Sequence, residues 1–390
     1  MTEQELSRRD FLKRAAGAAA ALGAASGLGV KLPEALAAKG AKKPGMGYRV
    51  LGRTKLKVSE LGMGTIVTGN AAVIQRAVDL GVNFFDTAEC YREGNGEIDL
   101  GKALKGRRDK VIIATKWHTD GHTPAEALLR SLDQSLSRLN MDHVELIQIH
   151  GADNEVQVTG DELWEAFTRA RQAGKVRFNG LSTHGNRAVI RAAIKNGRFD
   201  AVLPAHNAMT ADSVGPAIRE AHKAGVGVIV MKALQPAHEG KGSEAFQGLR
   251  GNPYQQAIQW VLKDPAVATV IVDRPTFDEL EEDYAAVAGT MSEAELREFE
   301  TAVAIVSAGA CHLCGACTGQ CRAGVKVADI MRYLLYHDGY GDRGRAVGLY
   351  RALPASASAA RCGDCTQCSV VCPWGVPVRE RLEKGHAVLA

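Results

Sequence analysis

The sequence predicts an α/β chain in two parts, a TIM (β/α)8 barrel followed by a small α-helical domain. Short apolar runs alternate with helical patterns from about Leu61 to Ala288, eight of the nine cysteines fall into two dense runs near the C-terminus, and the segment between those runs has helical periodicity. A chain of 390 residues has room for one large domain and one small one.

Taken in order, the apolar runs are Glu60–Gly64, Asn83–Asp86, Val111–Lys116, Val144–His150, Val176–Ser182, Ala201–Asn207, Val226–Lys232 and Val267–Val272. Their near-continuous Val, Ile and Leu is the composition of parallel strands covered by helices on both sides. Helical stretches separate them at Ala125–Leu139, Gly160–Ala173, Asn186–Lys195, Thr210–Ala224, Tyr254–Leu262 and Thr276–Ala288. Gly81, Gly174, Gly197 and Gly225 stand where helices stop before the next strand. Eight βα units in roughly 240 residues match a closed barrel better than an open doubly wound sheet. The first strand ends in Gly62-x-Gly64, without the Gly-x-Gly-x-x-Gly of a Rossmann nucleotide site. Met291 to Ser307 reads as a long helix leading out of the barrel, either docking the next domain or simply packing. The resulting organisation is an N-terminal segment 1–38, a barrel over 39–290, a connecting helix over 291–310 and a cysteine-rich helical domain over 311–390.

The cysteine runs are Cys311-x2-Cys314-x2-Cys317-x3-Cys321 and Cys362-x2-Cys365-x2-Cys368-x3-Cys372-Pro373. Three thiolates two residues apart can wrap a loop around three corners of an iron–sulfur cubane while the fourth ligand comes from elsewhere. Structural zinc and disulfides are the competing uses of such thiols. Between the runs, Val327 to Tyr336 has apolar residues at helical spacing, and Asp342 to Leu353 reads as a second helix. This part resembles the helical two-cluster ferredoxin domain that serves as an electron-transfer wire in larger redox enzymes. The resemblance implies two [4Fe-4S] clusters with crossed ligation, Cys311, Cys314, Cys317 and Cys372 on one, Cys362, Cys365, Cys368 and Cys321 on the other. The first run departs from the pattern in having Arg322-Ala323-Gly324 where a proline would follow.

Ser7-Arg8-Arg9-Asp10-Phe11-Leu12-Lys13 followed by an Ala/Gly-rich stretch to about Val30 resembles a twin-arginine export signal. It implies passage of a folded, cofactor-loaded protein through the twin-arginine export machinery, removal after Ala37 or Ala38, and residence in the periplasm. The stretch is short and weakly apolar for a stable transmembrane span. The net charge of +4 includes that basic start, aromatic residues are 5% of the chain, and no basic block alternates with them, so nucleic acid is not an expected partner.

Catalytic groups of a TIM barrel sit at the C-terminal ends of its strands. Asp86, Lys116 and His150 occupy such places in consecutive strands, and Tyr91 follows Asp86 by five residues. Together they read as a proton donor to a carbonyl. An ammonium beside a phenol favours the phenolate, so Lys116 is expected to pull the Tyr91 pKa down; Asp86 would orient Lys116, and His150 would hydrogen-bond the substrate oxygen. Cys90 reads as a packed small hydrophobe. His118, His184 and His206 lie near strand ends without a local metal-ligand spacing.

Phe85-Asp-Thr-Ala-Glu-Cys-Tyr91 with Glu97, Leu100, Gly101 and Leu104 downstream, Thr115-Lys116 and Ile147-Gln-Ile-His150 resemble the aldo-keto reductase family over about Tyr48 to Gly289. That resemblance implies carbonyl reduction with a nicotinamide cofactor laid across the top of the barrel, Tyr91 as general acid, Lys116 and Asp86 tuning it, and His150 placing the carbonyl. It also implies cofactor contacts from Ser182 and Thr183, Asn207, Lys232, Arg274 and Glu282. Val272-Asp-Arg-Pro-Thr-Phe277 replaces a Pro-Gly phosphate loop, and Glu282-Asp283 replaces a Glu-Asn pair, which leaves NADP(H) or NAD(H) open. Arg92 stands where relatives carry glycine and is expected to narrow the pocket or add an anion contact.

A hydride carries two electrons, whereas each cubane passes one at a time. The sequence therefore implies an oxidoreductase on a small carbonyl or alcohol, with a tightly held nicotinamide nucleotide, two clusters and an external one-electron partner. The other reading is a non-catalytic barrel acting with the cluster domain as an electron-transfer subunit.

Overall fold

The computed structural model describes residues 45–390; the export signal expected over 1–38 lies outside the described residues. Strands β1 (Tyr48–Val50) and β2 (Lys57–Ser59) form an antiparallel hairpin. The barrel strands are β3 (Leu61–Gly64), β4 (Phe84–Asp86), β5 (Ile112–Trp117), β6 (Val144–Ile149), β7 (Val176–Thr183), β8 (Ala201–Pro204), β9 (Gly227–Val230) and β10 (Thr269–Val272). Each pairs in parallel with its sequence neighbour, and β10 closes on β3 through Val270 opposite Leu61 and Val272 opposite Met63.

Two apolar layers follow from the pleat, which sends alternate side chains to opposite faces of the closed sheet. Phe84, Ala114, Leu146, Leu203 and Ile229 fill the interior with Leu51 and Val58 from the hairpin. Outward-facing Phe85, Ile113, Ile147, Leu181 and Val228 pack under the helices. The hairpin was not anticipated, and it stoppers the N-terminal mouth. Its Arg49 guanidinium donates to the carbonyls of Leu262 at 2.7 Å and Val267 at 2.8 Å, and Arg53 donates to those of Ala224 at 2.8 Å and Gly197 at 3.0 Å. Those carbonyls lie at or just beyond helix ends, where orphan acceptors need a partner. Gly197 and Gly225 adopt positive φ as expected of helix terminators.

The helix Glu293–Ser307 begins with a capping box at Ser292 and Glu295. It buries Leu296, Phe299, Ala302 and Val303, packing on Met209, Phe246 and Ala257 of the barrel, so it is a barrel-side packing helix. Helices Val327–Leu334, Arg343–Arg351 and Val378–Leu389 then enclose a separate apolar core of Ile330, Met331, Leu334, Tyr350 and Leu382. The first of them runs into a π-turn at Leu335–Gly339. Among the described residues, no helix is long and apolar enough to cross a membrane.

Candidate active site

Asp86 closes β4, Lys116 lies in β5, and His150 directly follows β6, so three neighbouring strands deliver three polar groups to one end of the barrel. Tyr91 arrives from a tight turn, Tyr91–Gly94, in which Arg92 and Glu93 both take left-handed φ of 51° and 58°. Strain of this sort persists where surrounding structure fixes it, and here the fixed object is the tyrosine just before it.

The Lys116 ammonium, 1% exposed, donates to an Asp86 carboxylate oxygen, to the Thr87 carbonyl at 2.7 Å and to the Tyr91 hydroxyl at 3.1 Å. Burial works against its charge, yet Asp86 and Tyr91 hold its pKa above the usual lysine range, so it is an ammonium. Gln148 Nε2 donates to the other Asp86 oxygen at 2.9 Å. Gln148 was not anticipated, although it stands two residues before His150 in β6, and residues two apart share a face.

Tyr91 departs from expectation. Burial pushes its pKa up to about 12, outweighing the Lys116 charge that pulls it down. The phenol is therefore a resting proton donor rather than a phenolate. The His150 ring meets that of Tyr91 edge-on with centroids 5.5 Å apart. Burial and then the charges of Lys116, His118, Arg332 and Arg345 hold His150 well below the usual histidine range, so it is neutral and offers one N–H donor.

One further expectation is corrected here and another is narrowed. Cys90 is exposed rather than packed, with its Sγ 3.6 Å from His150 Nδ1. Of the two roles expected for Arg92, the anion contact is disfavoured, because its guanidinium pairs with Asp99 at 2.8 Å and lies against Gly69.

The residues expected to touch a nucleotide are all engaged internally. Ser182 Oγ accepts from Gly151 N–H at 2.9 Å and donates to the Ile149 carbonyl at 3.2 Å, and Thr183 Oγ1 accepts from Asn186 N–H at 3.3 Å. Asn207 caps its own turn and donates to the Lys232 carbonyl at 3.0 Å and Gln235 at 3.1 Å. Arg274 binds Asp283 at 2.7 Å, with Glu282 at 3.4 Å and Glu279 at 3.6 Å. Glu282 also accepts from Asn252. A guanidinium already facing three carboxylates has its donors largely taken up within the protein.

Lys232, with left-handed φ of 61°, points its ammonium at Tyr336 of the helical domain, 3.4 Å from the hydroxyl and 4.6 Å from the ring centre. Arg345 lies over the same ring at 4.4 Å. Burial opposes ionisation of Tyr336, but Lys232, Arg332 and Arg345 bring its pKa down to about 8. Arg332 contacts His184 at 3.1 Å, and Gln235 donates to the Cys311 carbonyl at 3.2 Å. The helical domain thus rests on the strand-end loops after β7 and β9.

Within that domain the eight cysteines converge on two cavities, and none is disulfide-bonded. The first is lined by Cys311, Cys314, Cys317 and Cys372, the second by Cys362, Cys365 and Cys368, and Cys321 reaches both. The thiol of Cys311 senses Cys317, Cys314 and Cys372, whereas that of Cys362 senses Cys321, Cys368 and Cys365. Burial, reinforced by the neighbouring Cys317, Cys314 and Cys372, pushes Cys311 up to about 12, so the metal-free thiol is protonated and a metal centre held there would displace its proton. Leu313 N–H approaches Cys311 Sγ at 3.4 Å and Trp374 Nε1–H approaches Cys314 Sγ at 3.3 Å. This donor set fits a thiolate-held cluster in each cavity. Gly151, Asp153, Thr183 and His184 also line the first cavity, so it shares walls with the mouth of the barrel.

Comparison with known proteins agrees with this geometry. Residues 61–241 match the aldo/keto reductase family. The chain is 30% identical to the uncharacterized oxidoreductase YrpG of Bacillus subtilis, over 65% of this chain and 94% of that protein. It is 28% identical to the uncharacterized oxidoreductase YqkF of the same organism, over 66% and 96%. The solved structure of aldo-keto reductase AKR11C1 from Bacillus halodurans, in its holo form, superposes with a TM-score of 0.58 at 26% identity, covering 66% of this chain and 96% of that one.

Proposed function

The chain belongs to the aldo/keto reductase family and is an oxidoreductase, and on that footing we propose that it interconverts a small carbonyl compound and its alcohol while exchanging electrons one at a time through two [4Fe-4S] clusters. The observation that carries this reading is the Asp86–Lys116–Tyr91 chain beside a neutral His150 at the mouth of the barrel.

Tyr91 donates its proton to the carbonyl oxygen as the alcohol forms, with Lys116 adjacent to stabilise the phenolate left behind. Asp86, itself held by Gln148, keeps Lys116 in place, and His150 hydrogen-bonds the substrate oxygen. Family members bind NADP(H). A nicotinamide nucleotide would supply or accept the hydride, and the carboxylates around Arg274 favour NAD(H) over NADP(H). Contacts from Tyr336 and Gln235 across the mouth suit a nucleotide held tightly rather than exchanged each turnover.

The clusters would be held by Cys311, Cys314, Cys317 and Cys372, and by Cys362, Cys365, Cys368 and Cys321, and would supply one-electron transfer to an external redox partner. We further read residues 1–38 as a signal that sends the folded, loaded protein through the twin-arginine machinery to the periplasm.

Tyr91→Phe is the test: turnover of a confirmed substrate should fall about 10²–10⁴-fold with iron content and circular dichroism unchanged. Retained turnover sinks the assigned proton donor. The second reading, a non-catalytic barrel serving as an electron-transfer subunit, is favoured by the internal engagement of Ser182, Asn207 and Arg274, residues expected to touch the nucleotide. It requires functional clusters in a protein that retains no nucleotide and turns over no carbonyl.

A further inference from the structure

One cluster of side chains beside Tyr91 joins His150 to two groups, Cys90 and His118, that the proposed reaction leaves unused. Cys90 comes from the turn after β4, His118 from the end of β5 and His150 from the end of β6, and their ligand atoms all lie within 4.8 Å of one another. We propose that Cys90, His118 and His150 bind a borderline-soft divalent cation of the zinc kind, with the fourth coordination position open at the barrel mouth.

Bond geometry supports this. Tetrahedral zinc with Zn–S of about 2.3 Å and Zn–N of about 2.0–2.1 Å separates its sulfur and nitrogen ligands by about 3.6 Å. Cys90 Sγ and His150 Nδ1 are 3.6 Å apart. One thiolate and two imidazoles form a donor set of the kind that takes zinc, and three protein ligands with one free position is the pattern of exchangeable rather than purely structural sites.

The surroundings are those of a supported ligand. His118 Nδ1 is 2.9 Å from Glu89 Oε1, which also accepts from the His118 backbone N–H at 3.1 Å, and Ser131 donates to the second Glu89 oxygen. Cys90 and Glu89 raise the pKa of the metal-free His118 ring to about 9, so a metal would displace the Nε2 proton while Glu89 keeps the Nδ1–H. The spacing that looked uninformative in the sequence becomes a ligand set because adjacent parallel strands bring Cys90, His118 and His150 together.

A consequence for the carbonyl site follows, and it rests on the function proposed above. A cation on His150 Nδ1 leaves the ring proton on Nε2, the nitrogen available to a substrate oxygen. The metal would then act as a positioning device for His150, not as a substitute for Tyr91.

Zn2+ itself is the probe. The cluster-loaded full chain would be given one equivalent of Zn2+, desalted and examined at the zinc K-edge, which iron does not obscure. The expected first shell has one sulfur and two imidazole nitrogens, and the sulfur disappears in Cys90→Ala. Cys90→Ala and His118→Ala should each bind at least about tenfold more weakly with iron content unchanged, and Glu89→Gln should bind about 10–100-fold more weakly. Failure to retain zinc, or a sulfur-only shell that persists in Cys90→Ala, overturns the site; the first leaves a simple thiol–imidazole hydrogen bond, and the second places zinc among the cluster cysteines. Tyr91→Phe should bind zinc as the native chain does, so loss of this site and loss of the carbonyl mechanism are read separately.

Discussion

Lys116 is a buried cation with a single carboxylate partner, and most of the chemistry at the barrel mouth depends on that pairing. Removing one member of a buried pair strands the other, so Lys116→Met should cost about 3–5 kcal/mol in urea unfolding, whereas Lys116→Met with Asp86→Asn should recover part of it. Loss within the range of an exposed salt bridge would contradict the burial assigned to the pair. The pH dependence follows from Tyr91. A proton donor works in its protonated form, and with the pKa pushed up to about 12 that form persists as pH rises through the neutral and mildly alkaline range. Carbonyl reduction should therefore show no loss of kcat/KM attributable to Tyr91 between roughly pH 7 and 10, and a fall near pH 8 that vanishes in Tyr91→Phe would contradict the assignment. Asp86, Tyr91, Lys116 and His150 were legible because each sits at or just after a strand end. The Tyr91 pKa was not, because burial depends on packing that local sequence does not display. Gln148 and Glu89 escaped for a related reason, since their roles exist only across strands.

At the scale of elements, continuous apolar runs and glycine terminators located the barrel strands to within a few residues. The hairpin of β1 and β2 was missed because its partners, carbonyls at helix ends far along the chain, are non-local. The C-terminal helix Val378–Leu389 was missed because its polar residues blur the apolar stripe; only Val378, Leu382, Gly385 and Leu389 are buried. Helix packing supplies a prediction of its own. A Cβ on Gly101 would lie 2.2 Å from the Leu139 carbonyl oxygen, so the helices Asn95–Ala103 and Ala125–Leu139 can approach only with glycine there. Gly101→Ala should cost about 1–3 kcal/mol in chemical denaturation, and a neutral or stabilising effect would contradict this close contact.

For the whole molecule, two domains meet over the strand-end loops, and the first cysteine cavity shares Gly151, Asp153, Thr183 and His184 with the barrel. The cysteine spacing pointed to clusters, but it carried no information on where they would stand relative to Tyr91, because docking is set by Arg332 and Tyr336 meeting His184 and Lys232 and by Gln235 of the barrel meeting Cys311. Under the crossed ligation proposed above, Cys372→Ala is diagnostic: it should damage the cluster of Cys311, Cys314 and Cys317 while sparing that of Cys362, Cys365 and Cys368, leaving about half the iron. The most direct test of the account as a whole is anaerobic native mass spectrometry of the purified, cofactor-loaded protein. The account predicts one intact species carrying two Fe4S4 cores and one nicotinamide dinucleotide; a protein that carries no iron–sulfur, or two clusters with no nucleotide, would contradict it.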